Sequence, residues 1–295
     1  GSSTSTWNVT ESHPASRYDA WISSMTKVAA PGAVGEGRWS LRVDPGAAAV
    51  SETRSKRHVD IRIATYNIHR CRGMDRRTMP ARIAEVIREM DADVIALQEV
   101  IGAGPTGLGQ AEEIGAALGM GWVMHPVRLL RQHHFGNVVM SRFPIVHHGH
   151  YDLSWRTCEE RACQRADLDL GDGAVLHMYN VHLGTAVLER RYQATRLAGF
   201  VHDHRVRGPK VILGDFNEWM KGLATKTLSA LFQSIDIHQH LQRRRTYPGL
   251  FPLLHLDHIY YEGEVTVRSM ELVRTRKALI ASDHLPLVAD FRIGF

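Results

Sequence analysis

The chain has few cysteines and no long apolar run. Cys71, Cys158 and Cys163 are the only cysteines in 295 residues, which excludes a disulfide framework. Cys158 and Cys163 are close enough in sequence to bridge across a hairpin, but three reduced thiols in a cytosol are the favoured interpretation. No apolar run approaches the ~18 residues of a membrane span. Residues 1–3 resemble an expression scar, so a cytoplasmic location is slightly favoured and an exported form stays open.

The composition is that of an ordinary globular protein with a basic balance. Hydrophobic residues make up 44% and charged residues 23%, without internal repeats or low-complexity tracts, so a sizeable core can form. The net charge is +5 and the pI about 9.2. This favours anionic partners such as nucleic acid, phospholipid or phosphorylated metabolites, although a basic protein without a polyanionic partner is equally open. The 18 histidines add positive charge below pH ~6.5.

Residues 1–58 differ from the rest of the chain. They are rich in Ser, Thr, Ala, Gly and Pro, which is typical of a flexible tail. Trp7, Trp21 and Trp39 are unusually apolar for a solvated segment, so part of the tail is expected to be disordered or to pack on the domain. We therefore divide the chain into a tail, 1–58, and a folded domain, 59–295.

Hydrophobic periodicity within 59–295 predicts many short strands and a few helices. Apolar and polar residues alternate over Asp60–Asn67, whereas Ile83, Val86, Ile87 and Met90 recur at helical spacing. The predicted strands cover 60–67, 93–97, 121–125, 137–141, 166–170, 175–182, 210–213, 256–261, 265–273 and 287–292, and the helices 79–90, 111–118, 187–204 and 225–232. This order favours an α/β sandwich with two packed sheets and helices outside.

Polar residues that suit metal and phosphate chemistry lie at the ends of six of the predicted strands. Each segment alone is weak evidence, because short motifs often arise by chance. Six such segments at successive strand ends are strong evidence, since a rigid scaffold presents catalytic groups in this way. The segments are Thr65–His69, Leu97–Val100, Tyr179–Leu183, Gly214–Glu218, Leu256–Tyr260 and Ser282–Pro286.

This ordered set resembles the endonuclease/exonuclease/phosphatase superfamily, which has the deoxyribonuclease I fold. The resemblance covers about residues 59–295, and Gly214–Asn217 and Ser282–Pro286 are its most specific parts. Together with Arg245–Pro248, these segments look most like a largely uncharacterised bacterial branch in which some members are described as DNases. The resemblance implies a four-layer α/β (α+β) sandwich, with two mixed sheets flanked by helices.

The resemblance also implies a magnesium site, in which Mn²⁺ can replace Mg²⁺. Mg²⁺ takes oxygen ligands and keeps several waters, so one or two carboxylates suffice. Glu99 is the expected direct ligand, with Asn67 as an amide-oxygen ligand or an orienting residue, and Asp283 as a further contact. His69 stands where several nuclease branches have an acidic residue, which puts a second metal contact in doubt.

Catalytic roles follow from the same resemblance. Asp215 would orient or deprotonate the attacking water, and Asn217 would hydrogen-bond the phosphoryl oxygens as charge builds on them. His284 would act as a phosphate-binding cation or general acid/base. The acidic partner of His284 is expected to be either Asp283 or a residue from elsewhere. His182 would contact the scissile phosphate or protonate the leaving group. Asp257 would hold a histidine or a second metal.

Four further residues are expected to contact the substrate: Asn180, Arg165, His258 and Asn137. Arg165 is equally open to a surface role, and Asn137 to a role in a turn. His258 stands where the bacterial branch often has arginine, so phosphate binding there would depend on pH.

Several basic and aromatic residues outside the motifs also suit a nucleic-acid backbone, although solvated faces are the favoured interpretation for each basic cluster alone. The basic clusters are Arg70 with Arg72, Arg76-Arg77, Arg128 with Arg131, and Arg243–Arg245. Trp155 and Trp219 could stack on bases, though packing is favoured. The histidine runs at 133–134 and 147–150 are interpreted as exposed loops rather than metal tracts.

The sequence thus predicts a monomeric Mg²⁺-dependent phosphodiester hydrolase, with nucleic acid as the leading substrate. A sphingomyelinase-like phospholipase C or a phosphatase acting on a lipid or inositol phosphate is the first alternative, and it would need an exposed apolar hairpin such as Phe251–Leu254. The second alternative, an inactive binding module, would lack catalytic residues, and the central set here is complete.

Overall fold

The structure is a computed structural model that describes residues 57–105, 107–218, 222–234, 246–248 and 254–295. The predicted tail lies almost entirely outside the described residues, as do Trp219, the Arg243–Arg245 cluster and residues 251–253 of the apolar hairpin. The first strand begins at His58, one residue before the predicted start of the folded domain.

Twelve strands of the described residues form two six-stranded sheets. The first sheet has the order β11-β12-β1-β2-β4-β3, and the second has the order β5-β6-β7-β8-β10-β9. The strands are β1 (His58–Asn67), β2 (Val94–Ile101), β3 (Gly121–Leu130), β4 (His133–Ser141), β5 (Ile145–Asp152), β6 (Ala162–Gly171), β7 (Ala174–His182), β8 (Lys210–Asp215), β9 (Gln233–Ser234), β10 (Asp257–Glu262), β11 (Val265–Leu272) and β12 (Leu287–Gly294).

Helices pack on the outer face of each sheet. They are α1 (Pro80–Met90), α2 (Gln110–Leu118), α3 (Val187–Val201), α4 (Leu223–Ser229) and α5 (Arg276–Ala281). Helix α1 shows why the sequence folds in this way, since Ile83, Val86, Ile87 and Met90 form one buried face against the first sheet. Proline at its first position leaves no amide hydrogen unsatisfied there.

Three apolar layers hold this arrangement together. Helices α1, α2 and α5 share a core with the first sheet, and α3 and α4 share another with the second sheet. A third core lies between the sheets, where Ile63, Val94 and Leu213 are fully buried. The described residues therefore form a helix–sheet–sheet–helix sandwich of four layers, and the predicted fold is confirmed.

Several local predictions differ from the structure. The histidine runs lie in strands β4 and β5, so the prediction of loops was wrong, whereas His134, His147, His148 and His150 are exposed as predicted. Strand β5 lies at the edge of its sheet and exposes five of its eight residues, so it lacks the apolar alternation by which strands are recognised. Cys71, Cys158 and Cys163 are all free thiols. None of the helices in the described part of the chain is long and apolar enough to cross a membrane.

Each sheet contains a parallel pair that positions the motif residues. Strands β1 and β2 are parallel, with Asn67 opposite Gln98, and β7 and β8 are parallel, with His182 opposite Asp215. Parallel strands end at the same edge of a sheet, and loops at that edge carry the functional groups. The two pairs therefore bring four of the six motif segments to one end of the sandwich.

Candidate active site

Asp215, the last residue of β8, is the centre of the cluster. Its Oδ2 accepts a hydrogen bond from Asn67 Nδ2 at 3.0 Å, and lies 3.6 Å from His182 Nε2 and 3.5 Å from His284 Nε2. Its Oδ1 accepts from the backbone N–H of Asn217 at 2.9 Å. Four predicted site residues thus converge on one carboxylate: Asn67, His182 and His284 come from three other segments, and Asn217 comes from the segment of Asp215 itself.

Close packing of β7 and β8 makes this convergence possible. Gly214 has a φ of 146°, and a Cβ at this position would lie 1.9 Å from the carbonyl oxygen of Val181. Only glycine can adopt this backbone conformation and leave room for the neighbouring strand. Gly214 therefore allows Asp215 to lie directly beside His182.

Asp257 and His284 form a buried pair next to Asp215. Strand β10 is antiparallel to β8 and places Asp257 opposite Asp215. His284 Nδ1 lies 3.1 Å from Asp257 Oδ2, and both side chains are almost completely buried. The acidic partner of His284 is therefore Asp257, whereas Asp283 lies 3.4 Å from His69 Nδ1.

Burial and charge shift the pKa values of this group in different directions. Burial raises the pKa of the Asp215 carboxyl above its usual range, against the opposing charge of His284. Burial disfavours the charged form of His284, but the charges of Asp257 and Asp215 outweigh it and raise the pKa of this imidazole. Asp215 is thus a carboxylate with increased proton affinity, and His284 beside it is an imidazolium.

His182 has the opposite character to His284. Burial, together with the charges of Arg161, His284 and Arg128, holds the pKa of His182 well below its usual range. At neutral pH His182 is therefore a neutral imidazole, which suits a hydrogen bond to a phosphate better than proton donation.

Glu99 reaches the cluster through an irregularity in β2. The pairing of β2 with β4 shifts register between Leu97 and Val100, and Glu99 has a φ of 56°. Such bulges redirect a side chain, and unfavourable backbone conformations concentrate at functional sites. Asn67 donates to Glu99 Oε1 at 3.3 Å, while its own Oδ1 accepts from the backbone N–H of His69. This geometry favours the orienting role of Asn67 over the ligand role.

The donor set suits a hydrated divalent cation. Glu99 and Asp283 both line the cavity described below, and both carboxylates are about one-quarter exposed. Among the described residues, no group of three or more His, Cys, Asp or Glu side chains could hold a metal ion. Mg²⁺ needs only one or two carboxylates beside its waters, so this pair fits Mg²⁺ better than a metal that requires a closed protein cage.

A cavity of about 380 Å³ opens over the cluster. Its walls carry the catalytic candidates together with arginine and aromatic side chains. The lining residues are Arg70, Glu99, Arg128, Phe135, Glu159, Arg161, His182, Thr185, Asp215, Asn217, Tyr247, Leu254, Leu256, Asp283 and His284.

Two of the predicted substrate-contacting residues lie beneath the site. Asn180 is completely buried and donates to the carbonyl oxygens of Leu97 and Val138, each at 3.0 Å. Asn137 is also buried and donates to the carbonyl oxygen of Ala162. Neither side chain lines the cavity over Asp215, and both tie the two sheets together.

The other two lie outside this cavity. Arg165 forms an ion pair with Asp167 at 2.5 Å on β6, and His258 packs edge-on against Phe216. Successive residues of a strand point to opposite faces. Because Asp257 faces His284, its neighbour His258 points away from the site.

Several cavity residues were not singled out from the sequence. Arg161, Glu159, Thr185 and Phe135 belong to no catalytic motif, and Tyr247 was noted only within the Arg245–Pro248 resemblance. Arg70 and Arg128 were noted only as members of basic clusters. No local signal distinguishes these side chains from ordinary surface residues, because long-range strand pairing brings them together.

Comparison with known proteins identifies relatives of similar sequence and similar fold. The Escherichia coli (strain K12) protein YbhP, described as uncharacterized, is 29% identical over 245 residues, which cover 79% of this chain and 96% of YbhP. A crystal structure of an endonuclease/exonuclease/phosphatase from Bacteroides vulgatus superposes with a TM-score of 0.68 at 19% identity, covering 80% of this chain and 99% of that one.

A mannosyl-6-phosphatase from Bacteroides thetaiotaomicron superposes with a TM-score of 0.61 at 18% identity, covering 78% of this chain and 99% of the phosphatase. At these identities the two structures show the fold alone, and the expected deoxyribonuclease I-like fold is confirmed. The model of the Endonuclease/Exonuclease/phosphatase family matches residues 64–284, from β1 to His284. The chain belongs to the Endonuclease/Exonuclease/phosphatase family.

Proposed function

We propose that this protein is a divalent-metal-dependent phosphodiester hydrolase whose leading substrate is nucleic acid, DNA or RNA. Members of the family hydrolyse phosphate esters. The observation that carries the proposal is the position of Asp215 Oδ2, which lies within 3.6 Å of His182 and His284 and is hydrogen-bonded to Asn67. A carboxylate, two imidazoles and an amide around one cavity can hold a phosphate and activate a water beside it.

The water is activated by Asp215 in this proposal. A general base works best when its pKa lies close to the operating pH, and burial raises the pKa of Asp215 in that direction. The carboxylate takes the proton as the water oxygen approaches phosphorus. Asn67 and the backbone N–H of Asn217 fix the orientation of the carboxylate through their hydrogen bonds.

The two histidines hold the phosphate in different ways. His284, kept positively charged by Asp257, stabilises the negative charge that builds on the phosphoryl oxygens. His182 is neutral at pH 7 and offers a hydrogen bond without competing for the proton of the water.

A divalent cation fits beside this group. Glu99 and Asp283 would hold it, and Asn67 would keep Glu99 in place through its hydrogen bond. When bound, Mg²⁺ or Mn²⁺ polarises a phosphate oxygen and screens its charge.

Nucleic acid is favoured by charge. Arg70, Arg128 and Arg161 line the same cavity as the catalytic candidates, and the whole chain carries a net charge of +5. Arginine binds phosphate oxygens in a bidentate geometry, and several such groups along one surface are typical of proteins that bind a phosphate backbone.

The test is a substrate panel on the full chain. We expect cleavage of plasmid DNA or single-stranded oligonucleotides, and of bis(p-nitrophenyl) phosphate, with Mg²⁺ or Mn²⁺ but not with EDTA. Asp215→Asn should lower kcat by roughly 10²–10⁴-fold, whereas the control Asp203→Asn, which alters a surface carboxylate paired with Arg205, should not. Release of phosphocholine from sphingomyelin liposomes without nucleic-acid cleavage would assign the protein to lipids instead.

A further inference from the structure

A carboxylate between two arginines lies next to His182. Glu159 Oε2 accepts from Arg161 Nη2 at 2.7 Å, and Glu159 Oε1 accepts from Arg128 Nη2. Arg128 comes from β3, whereas Glu159 and Arg161 belong to the segment that precedes β6. All three residues line the cavity that contains His182, Asp215 and His284.

Both arginines have contacts besides Glu159. The side chain of Arg161 is only 10% exposed, and its backbone is tied to the segment by hydrogen bonds with Leu153 and Ser154. The guanidinium of Arg128 lies 4.6 Å from the ring centre of Phe135, a stacking arrangement that favours a cation. The guanidinium of Arg128 and the backbone of Arg161 are thus anchored by groups other than Glu159.

Each guanidinium retains an unused donor. The Nε atoms of Arg128 and Arg161 are buried and have no hydrogen-bond partner among the described residues. A buried charged donor without a partner is costly. Since one carboxylate has two oxygens and a phosphate has more, an incoming phosphate can satisfy donors that Glu159 leaves unpaired.

The partners also differ in accessibility. The carboxylate of Glu159 is 43% exposed, whereas Arg161 is almost covered. Glu159 can therefore turn toward solvent more readily than Arg161, and Arg128 is intermediate at 28% exposed. The charges of Arg161 and Arg128 act on His182, since both contribute to its lowered pKa, so an anion bound here would lie close to a phosphate held by His182.

We propose that Arg128 and Arg161 form a second phosphate-binding subsite, which Glu159 fills until a substrate with a phosphate next to the scissile one displaces it. This inference rests on the proposed phosphodiester hydrolysis and narrows its substrate class. The preferred substrate carries two neighbouring phosphates, as in a nucleic-acid strand. Glu159 acts as an internal competitor that weakens binding of substrates with a single phosphate.

The test compares matched substrates with one and with two phosphates. Thymidine dinucleotide with a 5′-phosphate should exceed the same dinucleotide without it in kcat/KM by about tenfold or more, the effect of one charge-assisted contact. Arg128→Gln and Arg161→Gln should bring this ratio close to one, while Glu159→Gln should lower KM for the phosphorylated dinucleotide. Arg142→Gln is the matched control, because Arg142 also lies between two carboxylates, Asp91 and Asp93, outside the cavity.

The outcomes separate this inference from the proposed function. A wild-type ratio of one for the dinucleotide pair and also for the glycerophosphoinositol pair below, with the substrates hydrolysed, overturns the subsite and leaves the hydrolase in place. Failure to hydrolyse bis(p-nitrophenyl) phosphate and both dinucleotides overturns the proposed function. A second pair of substrates, glycerophosphoinositol with and without a ring phosphate, identifies the source of the second phosphate. If the second phosphate raises kcat/KM only in this pair, the subsite binds polyol phosphates. If Arg161→Gln does not fold, the kcat/KM ratios of the wild type and of Arg128→Gln still test the subsite.

Discussion

His284 Nδ1 lies 3.1 Å from Asp257 Oδ2, and the two residues are 27 positions apart in sequence. We expect Asp257→Asn to lower kcat by about 10²-fold, because His284 loses the anion that keeps it charged and oriented. Breaking such a buried pair also costs about 3–5 kcal/mol of stability. Hydrolysis of bis(p-nitrophenyl) phosphate and thermal unfolding, measured together, test this. Asp60→Asn, which alters an exposed carboxylate paired with Arg292, is the control, and an unchanged kcat in Asp257→Asn would contradict the pairing.

The carboxylate of Glu99 should determine the metal requirement. Glu99→Gln keeps the shape but removes the charge, so we expect the Mg²⁺ concentration for half-maximal activity to rise at least about tenfold. EDTA should abolish wild-type activity, and added Mg²⁺ should restore it. Glu89→Gln, in a surface group with Thr275 and Lys277, should behave like the wild type. Activity that persists in EDTA would remove the metal from the proposal.

Asn180 is expected to matter for stability rather than for substrate binding. Asn180→Ala leaves the carbonyl oxygens of Leu97 and Val138 without their side-chain donor, at a cost of about 1–3 kcal/mol per unsatisfied buried group. Urea unfolding should show this loss, whereas Gln233→Ala on the exposed strand β9 should not. An increased KM with an unchanged free energy of unfolding would restore the substrate-contacting role.

Gly214 should tolerate no side chain. Gly214→Ala places a methyl group against the carbonyl oxygen of Val181 at a backbone conformation reserved for glycine, and overpacking of this kind costs at least about 1–3 kcal/mol. Gly199→Ala is the matched control, since Gly199 lies in α3 with open space around it. That change should stabilise the protein by about 0.5–1 kcal/mol. Equal unfolding midpoints for the two variants would refute the close contact.

The free energy of unfolding should fall in acid because of His125. Its ring stacks on that of His150 at 3.7 Å, and burial, with the charges of His150 and His148, lowers the pKa of His125 to about 4. Between about pH 6.5 and 4 the unfolded chain binds a proton that the folded chain does not, so stability falls as the pH falls. His125→Gln should lose less stability over this interval than the wild type. His204→Gln alters an exposed residue and should lose as much stability as the wild type. Identical curves of unfolding free energy against pH for all three proteins would contradict the lowered pKa of His125.

Much of the fold, and the segments that converge in the candidate site, could be predicted because their signals are local. Helix α1 shows its buried face in four residues, and Gly214–Asn217 carries its role within four positions. Strand β5 escaped prediction because an edge strand with histidines on its exposed face resembles a loop. Alternation of apolar residues in a sequence indicates a strand with one buried face, and an edge strand of this kind has few buried residues.

Pairings between distant segments could not be predicted. The partner of His284 depends on the register of β10 with β8, and the contact of Arg128 with Glu159 depends on how β3 approaches the segment before β6. Asn180 was correctly seen as a polar residue in a strand of the motif set. Its direction, into the core rather than toward the cavity, follows from the packing of one sheet on the other.

The oxygen that Asp215 shares with Asn67 has a mechanical consequence. Asn67 ends β1 of one sheet and Asp215 ends β8 of the other, so this hydrogen bond at the proposed reaction centre also joins the two sheets. A displacement of one sheet relative to the other would break the hydrogen bond from Asn67 to Asp215 before the apolar core between the sheets is exposed. Heating should therefore abolish the proposed activity at or slightly below the temperature at which the whole protein unfolds.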